Sequence, residues 1–169
     1  MLGREYDGQV CSVARALDVV GERWSLLIVR NVLLGLRRFD EMQEQLGIAR
    51  NVLQGRLERL VEAGVLERKL YQEHPPRHEY WLTEKGLDLW PTIVALMQWG
   101  DSHAPGEAGV PVVLEHRGCG GGVDGHRVCT TCGKALSVRE VVALPGPGAT
   151  PDHPLVRRAE RRRAEAAAA

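Results

Sequence analysis

Residues 37–82 hold two short helical patterns followed by two alternating patterns, and this order constrains the fold most. The first segment, "RRFDEMQEQLGI" (37–48), has apolar residues three and four positions apart, and Gly47 ends it after about two turns. The second, "ARNVLQGRLERLVEAGVL" (49–66), repeats this spacing through Leu53, Leu57 and Leu60. Two short helices joined by a tight turn that contains glycine are typical of a helix-turn-helix.

The segment that follows predicts a two-stranded ribbon. "VLERKLY" (65–71) and "HEYWLT" (78–83) alternate apolar and polar residues, as half-buried strands do. The connecting "QEHPPR" contains paired prolines, which exclude a helix and favour an exposed loop that carries Arg77. A ribbon directly after a helix-turn-helix is a wing.

Helical patterns flank this core on both sides. Apolar spacing predicts helices over 11–20 and 24–34, and Thr83 is a candidate N-cap for a long apolar helix. Pro91 inside that last segment predicts a kink or a late helix start. The helix has more apolar surface than a small domain can cover, so we expect either a partner chain or the later Cys-rich segment to cover it.

The sequence motifs of residues 7–101 together resemble one family. "CSVARALDVVGERWSLLIVR", "RRFDEM", "LQGRLERLVEAGVLER" and "PPRHEYWLTEKG", with "WG" near the end, are similar throughout to the HxlR family of bacterial transcriptional regulators. The resemblance implies a winged helix-turn-helix that is mainly α with a small β wing (α+β). It also implies a homodimer joined through its terminal helices that binds inverted-repeat operators in double-stranded DNA and regulates nearby genes, with repression the expected mode.

The second helix of the motif is the expected recognition helix. With its leucines facing inward, Asn51, Gln54 and Gly55 face outward, and Asn and Gln side chains suit bidentate contact with adenine. Arginines on neighbouring elements are expected to reach phosphate or guanine, the alternative being ion pairs within the chain. The candidate DNA-binding residues are Arg37, Arg38, Arg50, Asn51, Gln54, Gly55, Arg56 and Arg77.

Two positions depart from the family pattern. Ala49 stands where a small hydroxyl residue is common, and Gln54-Gly55 stands where Thr-Gln often precedes the arginine. The operator sequence of other members is therefore not transferable to this chain.

The sequence suggests two signals to which such a regulator could respond, one sensed by a cysteine and one bound near aromatic residues. Cys11 matches a cysteine that senses oxidants or electrophiles in some members, and a helix N-terminus can supply the thiolate character such a sensor needs; the alternative is a small, inert core residue. A small-molecule effector is the other input. Its pocket, or else a dimer interface or plain core, is expected at Trp24, Trp90, Met97 and Trp99.

A cluster of chemically active residues lies at 116–136, "HRGCGGGVDGHRVCTTCGKAL", and holds three of the four cysteines. "HRGCG" and "CTTCG" each place a ligand residue two spacers before Cys-Gly, so one turn can present two ligands to one ion. His116, Cys119, Cys129 and Cys132 are the expected ligands of a structural Zn²⁺. A Cys129–Cys132 dithiol and the replacement of His116 by His126 are the alternatives.

We expect three segments along the chain. These are a DNA-binding and dimerisation domain over 7–103, a zinc-knuckle-like extension over 110–143, and a flexible linker with a basic tail over 144–169. The tail is rich in Arg and has no apolar face. A solvated end is its simplest interpretation, and a basic arm on DNA is the other.

The charge balance narrows the function classes. The 22 basic residues equal the 22 acidic ones, which counts against a non-specific nucleoid binder because such proteins are strongly basic. The chain shows no secretory signal or apolar run of membrane-spanning length, so a cytoplasmic protein without membrane contact is expected. We expect no enzyme activity; the alternative is a small zinc-dependent or thiol redox enzyme centred on residues 116–136.

Overall fold

The computed structural model describes residues 10–167. The chain divides into two compact units, with the boundary between Leu89 and Trp90. The three-segment division made from the sequence stays a prediction, and its residues 7–9 and 168–169 lie outside the described part.

The first unit begins with four helices. They are α1 (Ser12–Val20), α2 (Ser25–Leu33), α3 (Phe39–Leu46) and α4 (Arg50–Glu62). Apolar residues at helical spacing supply the core: Ile28, Met42, Leu53, Leu57 and Leu60 have no exposed surface. Truncating a buried leucine of this kind to alanine costs about 2–5 kcal/mol, so the inward face of α4 fixes that helix firmly.

The turn between α3 and α4 forms as the sequence predicts. The Glu41 carboxylate accepts a hydrogen bond from the Arg38 backbone N–H at 3.2 Å and so satisfies a free donor at the start of α3. Gly47 ends α3 with a positive φ of 61° and donates its N–H to the Gln43 carbonyl at 2.9 Å. Glycine adopts this left-handed conformation at little cost, which allows the chain to enter α4 after a short turn.

The wing follows directly. β1 (Leu66–Gln72) and β2 (Arg77–Leu82) pair antiparallel, with Leu66 opposite Leu82 and an irregularity between Leu70 and Gln72. The short helix α5 (Glu84–Leu87) closes the unit, and the Thr83 hydroxyl caps it by accepting the Gly86 N–H at 3.1 Å.

The second unit starts with α6 (Trp90–His103), so the apolar segment after Thr83 forms two helices. Pro91 is the second residue of α6, where its missing N–H costs nothing, and the predicted late start is confirmed. β3 (Val112–His116) and β4 (Val141–Pro145) then pair antiparallel, with a single 3₁₀ turn (Val138–Glu140) just before β4.

The last described element is α7 (Pro154–Ala167), in the segment for which the sequence predicts a flexible tail. Pro154 and Leu155 are buried and α7 contacts β4, so the start of this helix packs against the second unit, and the flexibility of the tail stays a prediction. The fold class, mainly α with a small antiparallel wing, is confirmed. No helix in residues 10–167 is long and apolar enough to cross a membrane.

Candidate DNA interface and metal centre

The outward face of α4 carries the polar residues expected there. Asn51 and Gln54 are exposed, and Leu53 and Leu57 on the opposite face are fully buried. The Gln54 side-chain amide donates to Glu58 Oε1 at 3.0 Å, so a base would have to compete with this contact. A Cβ at Gly55 would meet no atom within 4 Å, which leaves this part of the helix surface open.

The two arginines of α4 have different surroundings. Arg50 is exposed, lies over the Phe39 ring at 4.6 Å, and is 3.7 Å from an Asp40 carboxylate oxygen. Arg56 pairs with Glu22 at 2.9 Å, and only 23% of its side chain is exposed. The geometry therefore makes Arg50 accessible to a ligand and ties Arg56 into the protein through an ion pair within the chain.

The start of α3 and the wing lie together. The Arg37 guanidinium stacks 3.2 Å from the centre of the Trp81 ring, and Arg38 pairs with Glu79 at 3.2 Å. The hydrogen bond that Arg38 donates to the Glu79 carboxylate is the main reason that the pKa of Arg38 is raised. Arg77 is exposed at the first position of β2. Arg37 and Arg38 thus directly precede α3, Arg77 begins β2, and these two elements contact one another.

Cys11 is exposed and precedes the first turn of α1. The nearby backbone N–H groups of Ala14 and Val13 favour the thiolate and lower the pKa of the thiol. An exposed thiol with a lowered pKa has the features of a reactive cysteine and lacks those of an inert core residue.

The predicted aromatic residues do not share one environment. Trp24 and Met97 are half-buried, Trp90 is buried, and Trp99 has 62% of its surface exposed. Leu96, also on α6, is 51% exposed, and Val13 on α1 is 65% exposed. Each unit therefore presents large apolar side chains to solvent.

The four predicted metal ligands come together in the second unit. His116 ends β3, and Cys119, Cys129 and Cys132 lie in the loop that leads to β4. One ligand atom from each residue lies within 4.8 Å of all the others. His116 Nδ1 is 3.2 Å from Cys119 Sγ and 3.4 Å from Cys132 Sγ, and the sulfurs of Cys119 and Cys129 are 3.4 Å apart.

Each half of the cluster forms the turn that its Cys-Gly pair predicts. Gly120 and Gly133, which follow Cys119 and Cys132, both have a φ of 71°. Backbone N–H groups of Cys132 and Thr131 lower the pKa of the Cys129 thiol to about 6. The Gly121 N–H lowers the pKa of Cys119, but the neighbouring Cys129 and Cys132 sulfurs and burial together outweigh it, and the net change is upward.

The donor set fits a tetrahedral zinc ion. Zn–S bonds of about 2.3 Å in a tetrahedron hold two sulfurs about 3.8 Å apart, and a sulfur and a nitrogen about 3.5 Å apart. Three of the observed separations, at 3.2–3.4 Å, differ from these values by a few tenths of an ångström, and all four ligand atoms lie within 4.8 Å of one another. Small side-chain movements would therefore suffice to admit the ion. His116, and not His126, is the histidine in the group.

Two features of these sites had no clear signal in the sequence. The Gln98 side chain on α6 donates to the Val123 carbonyl at 3.1 Å and so fastens the loop between Cys119 and Cys129 to that helix. The Cys-rich segment therefore folds against α6, as one of the two expectations held, but Leu96 and Trp99 stay exposed. The second feature without a clear sequence signal is the contact of Glu22 with Arg56. Both contacts depend on how distant parts of the chain pack together.

Comparison with known proteins gives a consistent set of similarities. Residues 19–108 match the family model described as HxlR-like helix-turn-helix. A Mycobacterium tuberculosis protein described as an HTH-type transcriptional regulator, Rv3095, is 48% identical over 147 residues, which cover 87% of this chain and 92% of that protein. The family match ends at residue 108, and an alignment of 147 residues is too long to lie within residues 1–108. The similarity to this protein therefore continues beyond the family match.

Solved structures are similar as well. The crystal structure of PA1607, assigned as a transcription factor, has a TM-score of 0.63 and 41% identity, and covers 79% of this chain and 93% of that one. The redox regulator HypR in its oxidised form has a TM-score of 0.52 and 33% identity, and covers 55% of this chain and 97% of that one.

Proposed function

The chain belongs to the HxlR-like helix-turn-helix family of transcriptional regulators, and from that premise we propose that it is a repressor that binds inverted-repeat operator DNA as a homodimer. The observation that supports this most is α4. Its leucines are fully buried, while Asn51 and Gln54 on the other face are exposed and able to meet base edges. A regulator of this kind acts in the cytoplasm, where its operators are.

The proposed DNA surface extends from α4 to the wing. The exposed arginines are Arg50 on α4, Arg38 just before α3 and Arg77 on β2. There they can neutralise phosphates on either side of the groove that α4 enters. We assign Arg56 a smaller part, because its ion pair with Glu22 is short and largely buried. The formally neutral chain then depends on this local cluster of cations to bind DNA.

Footprinting on the DNA next to the protein's own gene tests this function. The expected result is protection of two half-sites about one helical turn apart, because a two-fold dimer presents its recognition helices at that spacing. Uniform binding with a steep salt dependence and no protected sequence would indicate a non-specific binder and contradict the proposal. A reporter under the protected promoter should rise when the gene is deleted if the protein represses.

The homodimer is supported by apolar side chains that stay exposed. Trp99 and Leu96 on α6 and Val13 on α1 would be costly to leave in water, and the family resemblance implies contacts through the terminal helices. Trp99→Glu should give a monomer by light scattering, whereas Val113→Glu, at another exposed apolar position of the second unit, should stay dimeric. A dimer that survives Trp99→Glu at micromolar concentration would place the interface elsewhere.

We further propose that the second unit holds a structural Zn²⁺ on His116, Cys119, Cys129 and Cys132. The ion would fix β3 and the loop before β4 in place, since these ligands would link the end of β3 to both turns. Four protein ligands fill a tetrahedral shell, which supports a structural role over a catalytic one that needs an open position. Metal analysis should find about one zinc per chain.

Two signals that could control DNA binding by the regulator remain proposals. Cys11 has the exposure and lowered pKa of a sensor thiol, and HypR, a similar protein, is described as a redox regulator. A small-molecule effector is the other. DNA affinity measured before and after mild oxidant, in wild type and Cys11→Ser, separates them, because a Cys11 sensor predicts a loss that the variant does not show.

A further inference from the structure

The thiols of the metal cluster combine access with proximity. Cys119 and Cys132 are exposed to solvent, while Cys129 is 1% exposed. The sulfur atoms of Cys119 and Cys129 are 3.4 Å apart, so a shift of about 1.4 Å would bring them to the length of a disulfide bond. An oxidant can thus reach one residue of a pair whose other member is buried beside it.

The loop between these two cysteines is also fastened to a helix. Val123 pairs with Cys129 in an isolated β-bridge, and the Val123 carbonyl accepts a hydrogen bond from Gln98 of α6 at 3.1 Å. A change in the bonding of Cys129 therefore acts on backbone that α6 holds. Trp99, the residue after Gln98, is the exposed aromatic residue of that helix.

We propose that the metal cluster is an oxidation site, at which a hydroperoxide joins Cys119 to Cys129 in a disulfide, releases the metal and loosens the loop from α6. The inference rests on the proposed metal centre and on the proposed role of α6 in the dimer. It names a regulatory site distinct from Cys11, and it assigns a different pair from the Cys129–Cys132 dithiol that the Cys-x-x-Cys spacing suggests.

The reaction balances with the hydroperoxide as the only oxidant. The Cys119 sulfur attacks one peroxide oxygen, the O–O bond breaks, and the leaving oxygen takes a proton to become water or an alcohol. The Cys129 sulfur then attacks the Cys119 sulfenic acid, the S–S bond forms, the S–O bond breaks, and the oxygen leaves as water. Two electrons pass from the two sulfurs to the peroxide. Two of the four ligands are lost, and the ion dissociates.

The test uses the full-length zinc-loaded protein, with its metal content measured first. Hydrogen peroxide is added in the presence of a chromogenic zinc indicator, and the products are digested without reduction and mapped by mass spectrometry. The expected result is release of the zinc together with a Cys119–Cys129 linked peptide, reversed by dithiothreitol and added zinc. Hydrogen exchange should then rise in residues 120–128 and in the part of α6 around Gln98.

Two variants sharpen the result. Cys11→Ser removes the other exposed thiol and should respond as wild type does. Cys119→His keeps four metal ligands, in a Cys₂His₂ set that zinc accepts, but cannot form the disulfide, so it should bind zinc and keep it in peroxide.

The outcomes separate the inference from the function on which it rests. Protein that holds no zinc before peroxide is added contradicts the proposed metal centre. Protein that holds zinc and keeps it, or that forms a Cys129–Cys132 bond instead, overturns the oxidation site while leaving the metal centre and the DNA-binding function intact. Zinc loss from Cys119→His at the wild-type rate would overturn it equally.

Discussion

Asn51 is the side chain on α4 for which base recognition can be tested with least disturbance of the fold. It is exposed in the first turn of the helix and lies on the face opposite the buried leucines. Asn51→Ala should weaken operator binding by about 5- to 150-fold, since a bidentate contact with adenine contributes about 1–3 kcal/mol of discrimination. Fluorescence anisotropy with the footprinted operator and a scrambled duplex measures it.

The control for this prediction lies on the same helix. Glu62→Ala, at the exposed last position of α4, should leave operator affinity within about twofold and should not change the thermal midpoint, as expected of a surface substitution. Asn51→Ala should also keep the salt dependence of binding, because no phosphate contact is removed. Equal weakening on both duplexes would mean that Asn51 does not read sequence.

The Cys11 thiol makes a prediction about pH. The N–H groups of Ala14 and Val13 lower its pKa, so the folded chain holds more thiolate at neutral pH than the unfolded chain does. The rate of alkylation by iodoacetamide should therefore rise with pH at a lower midpoint in the native protein than in urea. Peptide mapping follows Cys11 alone, and coincident midpoints in the two states would contradict the local hydrogen bonding.

At the scale of elements, two glycines in helices of the first unit have opposite surroundings. A Cβ at Gly55 in α4 would meet nothing within 4 Å, whereas one at Gly86 in α5 would clash with the Val65 carbonyl oxygen. Gly55→Ala should raise the free energy of unfolding by about 0.5–1 kcal/mol through helix propensity. Gly86→Ala should lower it by about 1–3 kcal/mol through overpacking. Urea denaturation of the two variants gives both values.

Gly55→Ala carries a second expectation. If the open surface at Gly55 admits the DNA backbone, the stabilised variant should bind the operator more weakly than wild type, since the added methyl lies where the two backbones approach. Higher stability with unchanged affinity would show that Gly55 is remote from DNA. The stability measurement excludes misfolding as the cause of a weaker complex.

Elements that depend on local patterns were predictable from the sequence, and those that depend on distant pairing were not. Helices α3 and α4 and the wing follow from apolar spacing, from Gly47 and from the paired prolines, and they lie where expected. The β3–β4 hairpin went unpredicted because His116 pairs with Val141 across the whole metal loop, with no tight turn to mark it. The ion pair of Arg56 with Glu22 was missed for the same reason.

The metal ligands were predictable although their surroundings were not. Two ligand residues at a fixed short spacing, each pair followed by glycine, specify a turn that needs no tertiary information, and the four ligand atoms do converge. What the spacing could not show is that the Cys119 and Cys129 sulfurs are 3.4 Å apart, or that Gln98 fastens the intervening loop. Both depend on how the loop packs in three dimensions.

For the whole molecule, the division into two compact units predicts an uneven response to metal removal. The first unit is built on a core of buried leucine, isoleucine and methionine side chains, and none of the four candidate ligands belongs to it. In the second unit, the short strands β3 and β4 are joined by a glycine-rich loop that buries little apolar surface. Metal binding should thus contribute much of the stability of that loop and hairpin.

A chelator such as EDTA should therefore raise amide hydrogen exchange in residues 112–145 while α3, α4 and the wing keep their protection. Zinc should restore the original exchange and magnesium should not, because thiolate and imidazole ligands suit zinc, whereas magnesium prefers oxygen.

The affinity for operator DNA after chelation gives a second test of the role of the metal. If the second unit supplies dimer contacts through α6, chelation should weaken binding to the full inverted repeat more than binding to a single half-site. Equal weakening on both would place the effect of the metal on the recognition surface itself, and exchange that is unchanged by chelation would mean that the four ligands hold no structural ion.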